Sequence, residues 1–311
     1  MGIRREINRG LDRIVDYYLK NYKKMALIPI IFIIIFGSAI FYYYHVHGEL
    51  MNEDISLKGG ISATIYTNKT INAGAITDNL SKEFPNTEIA VSTLYVPFST
   101  RIDGYSVEIN QNVNSTQFIS DLSSIFGFPL TSSNLSLNYV SPVIASSALE
   151  DALILLILAF VLVAMVSLFY FRNPTQAFSN VISIISDVIN VVGVVDLLNL
   201  PFSTASIAGI LMLMGYSADR NIILATNILK RKEGSVKYRL VHTIKTSLTM
   251  DFAAFLTFIV LFVGTTNSII HMIATILIIG LIFDDFTVWI LNGSIQLYGI
   301  KYKHVEEKKA I

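Results

Sequence analysis

Long apolar runs dominate the pattern of hydrophobic and polar positions along the chain. Residues 25–44 and 152–171 contain no Asp, Glu, Lys or Arg. A helix needs roughly 20 mostly apolar residues to cross the hydrocarbon core of a bilayer, so both runs predict transmembrane helices. Residues 252–283 are also uncharged, but this run is too long for one helix, and polar residues at 264–267 divide it into two.

A third apolar region, from 176 to 218, predicts a helical hairpin. Its only charged residues are two aspartates, and Asn, Leu and Pro at 199–201 form a turn in its middle. The sequence therefore predicts six transmembrane spans. They lie near 25–45, 149–171, 176–199, 203–229, 241–263 and 268–297.

Residues 46–147, between the first two spans, have a different pattern. Alternating apolar and polar positions predict strands at 60–67, 88–96, 104–110 and 135–140, and helical periodicity predicts helices at 72–84 and 115–126. The order βαββαβ is that of the ferredoxin-like fold, with two helices on one face of a four-stranded antiparallel sheet. The predicted fold class is a polytopic α-helical membrane protein with six transmembrane helices and one α+β ferredoxin-like domain.

Composition and charge placement support this class and give its orientation. The chain is 53% hydrophobic and 15% charged, against about 25% charged in soluble domains. Of 23 Lys and Arg residues, 18 lie on one side of the predicted membrane. Cations mark the cytosolic side, so both termini are predicted to be cytosolic and 46–147 extracytoplasmic. This gives a cytosolic basic segment at 1–24, a membrane anchor at 25–45, a five-helix bundle at 148–298 and a cytosolic tail at 299–311.

The first span resembles a secretory signal because seven cations precede it, but it ends in Tyr42, Tyr43 and Tyr44 rather than in small residues. We interpret it as an uncleaved anchor. His45 and His47 follow at the membrane boundary, where two ligands specify no metal site, so no metal is predicted. Residues 46–147 contain four glycosylation sequons, at Asn68, Asn79, Asn114 and Asn134. Their modification is left open.

Carboxylates inside the spans are the strongest candidates for function, because a charge in the bilayer is costly. Asp219 lies 11 residues before Lys230, which places it roughly 16 Å from the cytosolic edge. Asp187 and Asp251 have similar depths. We expect the three to converge near the midplane, where they can bind and release protons. The alternative is that each pairs with a cation or hydroxyl and only fixes helix packing.

Further charged residues surround these candidates. Arg220 leaves its helix about 100° away from Asp219 and is therefore a poor partner for it. Lys245 either faces the bundle or extends to the cytosolic interface. Asp284 and Asp285 lie nearer the cytosolic half of the sixth span, and Asp196 is expected to be solvated near the external end.

Several segments together resemble the SecF family of protein-export subunits, with archaeal members most similar. They are SLKGG at 56–60, SDVI at 186–189, LMLMGYSADRNIILATNILKRK at 211–232, TIKTSLTM at 243–250 and IGLIFDDFTVWILNG at 279–293. The matching motif residues are Gly59, Gly60, Gly215, Tyr216, Ser217, Thr246, Ser247 and Asp284.

The resemblance implies half of a resistance-nodulation-division architecture, paired with a SecD-like subunit and acting with the SecY/SecE-type channel on exported polypeptides. It also implies use of the proton gradient, with Asp219 at the position of the archaeal carboxylate. Bacterial members carry the acidic residue one position later, at Arg220 here, and an arginine at His242, so that cation is either moved to Lys245 or lost. The alternative function is a small-molecule or lipid exporter of the same architecture.

No phosphate-binding loop, metal signature or nucleophile elbow occurs in the sequence. We therefore expect neither an enzymatic activity nor a cofactor.

Overall fold

The computed structural model describes residues 2–85, 87–110, 113–231 and 233–300, with side chains from residue 10 onward. Lys232 and the predicted tail beyond residue 300, with its four lysines, lie outside the described residues. Along the chain the elements are α1 (Gly2–Met25), α2 (Leu27–His47), α3 (Ile55–Lys58), β1 (Gly60–Tyr66), α4 (Ala73–Glu83), β2 (Ile89–Tyr95), β3 (Ile102–Ile109), α5 (Ser115–Phe126), β4 (Leu135–Val140), α6 (Pro142–Phe171), α7 (Pro174–Leu197), α8 (Thr204–Ala225), α9 (Val236–Gly264) and α10 (Ser268–Phe286).

All six predicted spans are confirmed as helices that are long and apolar enough to cross a membrane. Two of them contain π-helical segments: α8 continues through Thr226–Lys230, and α10 continues through Thr287–Asn292. The second span begins at Pro142 rather than at the predicted 149. The Ser141 hydroxyl caps the helix there, and proline suits the first turn because that position needs no N–H donor.

The helices α7 and α8 form the centre of the bundle. Their buried residues share one apolar core with α9 and α10, whereas α2 and α6 expose most of their apolar side chains. Lipid tails are as apolar as helix surfaces, so the hydrophobic effect does not draw helices together within a bilayer. Helix association depends instead on close packing, which small residues permit. Gly193 lies against Phe36 and Gly209 against Ile276, at distances that leave no room for a larger side chain.

The external domain has the predicted ferredoxin-like topology. Its four strands form an antiparallel sheet in the order β2-β3-β1-β4. The helices α4 and α5 cover one face and bury Ile76, Leu80, Phe118 and Leu122 against it. The alternation of the strands and the periodicity of the two helices therefore predicted the domain correctly.

The segment that leads into this domain is attached to the turn between α7 and α8. The Phe202 N–H donates to the Asn52 carbonyl at 2.6 Å, the Asp54 N–H donates to the Phe202 carbonyl at 2.9 Å, and the Thr204 N–H donates to the Ser56 hydroxyl at 2.9 Å. Gly59 then turns the chain with φ +84°, where a Cβ atom would lie 2.8 Å from the Cα of Pro142. The external domain is thus bonded directly to the bundle.

The basic segment at 1–24 forms a helix, α1, which the charge pattern alone did not predict. Val15, Tyr18 and Tyr22 are buried against the start of α9 and the π-helical continuation of α10. The Ser294 hydroxyl donates to the Tyr22 carbonyl at 3.0 Å. One face of α1 thus covers this end of the bundle.

Candidate functional site

Arg220 is the centre of a buried ionic cluster between α8, α9 and α10. Its guanidinium lies 3.0 Å from the Asp251 carboxylate and bonds to Asp284 and Asp285 through its two terminal nitrogens. The side chain of Arg220 is 4% exposed and that of Asp284 is 1% exposed. A single cation therefore faces three carboxylates within the membrane-spanning bundle.

Asp187 on α7 joins this cluster from the other side and has no cationic partner among the described residues. Its carboxylate accepts hydrogen bonds from Ser217 at 2.7 Å and from Thr287. The carboxylates of Asp187 and Asp284 are close enough to interact electrostatically. Asp187 and Asp251 thus belong to one cluster, in which Arg220 and Asp284 lie between them.

A buried amide network extends from Asp187 toward the end of the bundle that α1 covers. The Asn221 amide donates to the Ser217 hydroxyl at 3.3 Å, and Asn292 donates to Asn221 and to Asn180, the latter at 3.2 Å. Further bonds extend it to Gln176, Ser179, Ser167 and Gln296. Because unsatisfied amides are costly in this environment, the network fixes the mutual positions of α7, α8 and α10.

Asp219 does not belong to the cluster, which corrects the expectation that it converges with Asp187 and Asp251. Its side chain is exposed on the outer face of α8, together with those of Thr204, Ala208 and Met212. A Cβ atom added to Gly215 on this face would meet nothing within 4 Å. The structure therefore places an outward-facing carboxylate on a helix face that also carries three small residues, Thr204, Ala208 and Gly215.

The remaining motif residues divide between the cluster and the surface. The Ser247 hydroxyl donates to Asp251 at 3.3 Å, and Tyr216 contacts the edge of Phe258. Thr246 is exposed and bonds to the carbonyl of His242 in its own helix. Lys245 is half-buried, without an ion pair among the described residues. The cation of the cluster is therefore Arg220, and Lys245 takes no part in it.

Asp196, expected to be solvated, is instead buried at the external end of α7, and neither of its oxygens has a hydrogen-bond partner in the described part of the chain. The prediction counted distance from the membrane surface and could not include the segment at 51–56, which lies over the turn that follows Asp196. Asp196 is therefore buried although it lies near the end of its span.

A second carboxyl pair lies outside the membrane, where the external domain joins the bundle. Burial, together with the nearby Asp54 carboxylate, raises the pKa of Glu108 on β3 to about 7. Burial also raises the pKa of Asp54, which caps α3 through Ser56. Glu108 at this junction therefore holds its proton to a higher pH than a solvent-exposed glutamate does.

The amide network and the role of Asp285 were missed by the sequence reasoning. A signal for the network was present, because Gln176, Asn180, Ser183 and Asp187 follow one another at helical spacing along α7. A polar stripe of this kind within an apolar span indicates a face turned toward other protein.

A family model described as "Protein export membrane protein SecD/SecF, C-terminal" matches residues 125–301. The protein-export membrane protein SecF of Methanothermobacter thermautotrophicus is 28% identical over 296 residues, which cover 92% of this chain and 95% of that protein. SecF of Pyrococcus furiosus is 29% identical over 297 residues, covering 93% and 96% of the two chains.

The fold is similar to a crystal structure of SecDF, a translocon-associated membrane protein from Thermus thermophilus. The TM-score is 0.72 at 17% identity, and the match covers 92% of this chain. It spans only 38% of the Thermus chain. At this identity the likeness concerns the fold alone, and it includes both the bundle and the external domain.

Proposed function

The chain belongs to the SecD/SecF family of protein-export membrane proteins, and from this membership we propose that it is an accessory subunit of the Sec machinery in the cytoplasmic membrane. It acts with a SecD-like subunit and a SecY/SecE-type channel to promote the passage of exported polypeptides. We assign it no enzymatic reaction. The alternative of a small-molecule or lipid exporter has no support among these relatives.

The buried cluster around Arg220 is the observation that supports coupling to the proton gradient. One guanidinium cannot neutralise the carboxylates of Asp251, Asp284 and Asp285, and Asp187 has only hydroxyl partners. Like charges in contact repel strongly where water is excluded, so the cluster holds protons. Its residues come from α7, α8, α9 and α10, and a change in protonation therefore alters the packing of these helices against one another.

Transmission to the outside uses the bonds between the segment at 52–56 and the turn between α7 and α8. The two helices that meet at this turn carry Asp187 and Arg220, so a shift between them moves the base of the external domain. The test is translocation of a reporter protein into energised membrane vesicles, with and without an uncoupler. Vesicles that contain the chain should show an uncoupler-sensitive part of translocation that vesicles without it lack. Equal rates would contradict the proposal.

Partner binding gives a sharper prediction at Gly215. A Cβ atom at this position meets no other atom within 4 Å, and the small residues Thr204, Ala208 and Gly215 on this face suit close approach of a second helix. We expect Gly215→Leu to leave the isolated chain folded and to abolish co-purification of the SecD-like subunit in mild detergent. Ser38→Leu, at an exposed small residue of α2, is the matched control and should keep the complex. A complex that survives Gly215→Leu unchanged would place the partner on another face.

Orientation is tested by labelling, which the absence of native cysteine makes simple. Ser133→Cys lies in an exposed turn before β4, and Glu233→Cys lies in the exposed connection between α8 and α9. We expect an impermeant maleimide to label the first variant in intact cells and the second only after lysis. The reverse pattern would invert the topology. Glu233 is used because the neighbouring Ser235 caps α9 and should be left intact.

A further inference from the structure

The free edge of the external sheet at β4 is built to accept another strand. The strand β1 pairs with β4, Ala63 opposite Leu137 and Ile61 opposite Tyr139. Next to these pairs, the Tyr66 N–H donates to the Asn134 carbonyl at 2.9 Å. Hydrogen-bonded and non-hydrogen-bonded pairs alternate along an antiparallel ladder, so the backbone groups of Leu137 and Tyr139 point away from β1. These donors and acceptors are available to an added strand.

The side chains at the same positions are apolar and exposed. Leu137 is 42% exposed and Tyr139 is 51% exposed, although their partners Ala63 and Ile61 are buried beneath the helices. Helix cover therefore stops short of β4. An added strand would extend the hydrogen-bonded ladder and bury both side chains under its own alternate residues.

Proteins usually protect such an edge with lysine, proline or a bulge. The six residues of β4 contain neither lysine nor proline, and its pairing with β1 has no register shift. The opposite edge differs: the pairing of β2 with β3 shifts between Leu94 and Tyr95, and the apolar residues Ile89 and Val91 are half-buried. The β4 edge is therefore the open one.

The surroundings of β4 indicate the kind of occupant. Residues 127–149 contain no Asp, Glu, Lys or Arg, so the edge offers no charge that would select one partner or one register. Recognition through backbone groups is likewise independent of sequence. The strand leads directly through Ser141 into α6, which places this edge beside the external membrane surface.

We propose that the β4 edge binds an extended segment of an exported polypeptide by strand addition. This inference rests on the proposed role in protein export and assigns that role a binding surface for its substrate. The edge would hold clients of varied sequence because it contacts their backbone and their alternate apolar side chains. A bound segment could not slide back toward the channel until the strand was released.

Disulfide cross-linking within the assembled complex tests the proposal. Asn138 is exposed, and its backbone N–H and C=O groups point toward β1. The residue of an added strand that lies opposite Asn138 would therefore form a non-hydrogen-bonded pair with it, with the two Cα atoms about 4.5 Å apart. That separation permits a disulfide. Vesicles carry Asn138→Cys, and reporter chains arrested in translocation carry one cysteine at successive positions. We expect cross-linking at every second reporter position, since alternate side chains face opposite sides of a strand.

Ser92→Cys is the matched control, because Ser92 is an exposed residue at the equivalent place on the β2 edge. Leu137→Pro removes one outward N–H while sparing the bonds to β1, and we expect it to lower the cross-linking of Asn138→Cys about fivefold. Leu137→Thr retains the N–H and should lower it less.

Equal yields from both edges, yields without a period of two, or cross-links only to the SecD-like subunit would each overturn strand addition. Reporter export measured in the same vesicles separates the two proposals. Absence of uncoupler-sensitive export would overturn the proposed function. Normal export without a cross-link from Asn138→Cys would overturn strand addition alone.

Discussion

Replacing Arg220 with glutamine should abolish the uncoupler-sensitive part of reporter translocation and weaken the bundle. The substitution leaves Asp251, Asp284 and Asp285 facing one another without their shared cation. Removing one partner of a buried ion pair costs about 3 to 5 kcal/mol. Thermal unfolding of the detergent-solubilised complex and translocation into energised vesicles measure the two effects.

Two further variants separate folding from coupling. Arg220→Lys keeps the charge but loses the planar fork that contacts several carboxylates at once. We therefore expect an unfolding temperature between those of the unsubstituted chain and Arg220→Gln, and little uncoupler-sensitive export. Arg220→Gln combined with Asp284→Asn removes one carboxylate and should regain stability without regaining export. Full uncoupler-sensitive export by Arg220→Gln would show that the cluster is only structural.

Asp187→Asn is the second prediction, and it should remove coupling while leaving the fold intact. Asparagine has nearly the shape of a protonated aspartate and still accepts a hydrogen bond from Ser217 or Thr287, but it cannot release a proton. Ionisation of a membrane carboxyl group costs about 2.5 to 3.5 kcal/mol, which biases a two-state equilibrium by roughly 10²-fold. We therefore expect this variant to support export only at a low rate, and we expect the uncoupler to leave that rate unchanged.

The matched control is Asp196→Asn. Asp196 is a buried carboxylate on the same helix, but it lies near the external end and outside the cluster. We expect export by this variant to keep its uncoupler sensitivity. If Asp187→Asn behaves like the control, proton binding in the complex belongs to another residue, and the outward-facing Asp219 at the proposed partner interface becomes the first candidate.

Span lengths, strand alternation and the order of external elements could be predicted because each depends on local pattern. Counting residues from an interface also placed Asp187 and Asp251 at one level, and the structure brings both into one cluster. Azimuth could not be predicted. Asp219 and Arg220 are neighbours about 100° apart, and a helix can turn only one of them into the bundle. The choice depends on Asp251, Asp284 and Asp285, which lie on other helices and attract the arginine.

The same reasoning explains the other differences. Asp196 was expected to be solvated because it lies near the end of a span, but the segment at 51–56 folds back over the turn beside it. The sequence predicted only a basic segment where α1 forms, because charges interrupt the apolar positions of this helix. Its apolar face can be recognised only from the surface that it covers. In each case the deciding contact joins residues far apart in the sequence.

Docking of α1 has a consequence for the order of synthesis. Val15, Tyr18 and Tyr22 leave the ribosome well before Val288, Ser294 and Leu297, which lie against this helix. Until α10 has been inserted, the apolar face of α1 can contact only the residues of α8 and α9 and lacks the surface that the α10 segment supplies. Full burial of α1 therefore follows the insertion of α10, and it reports that this segment is in place.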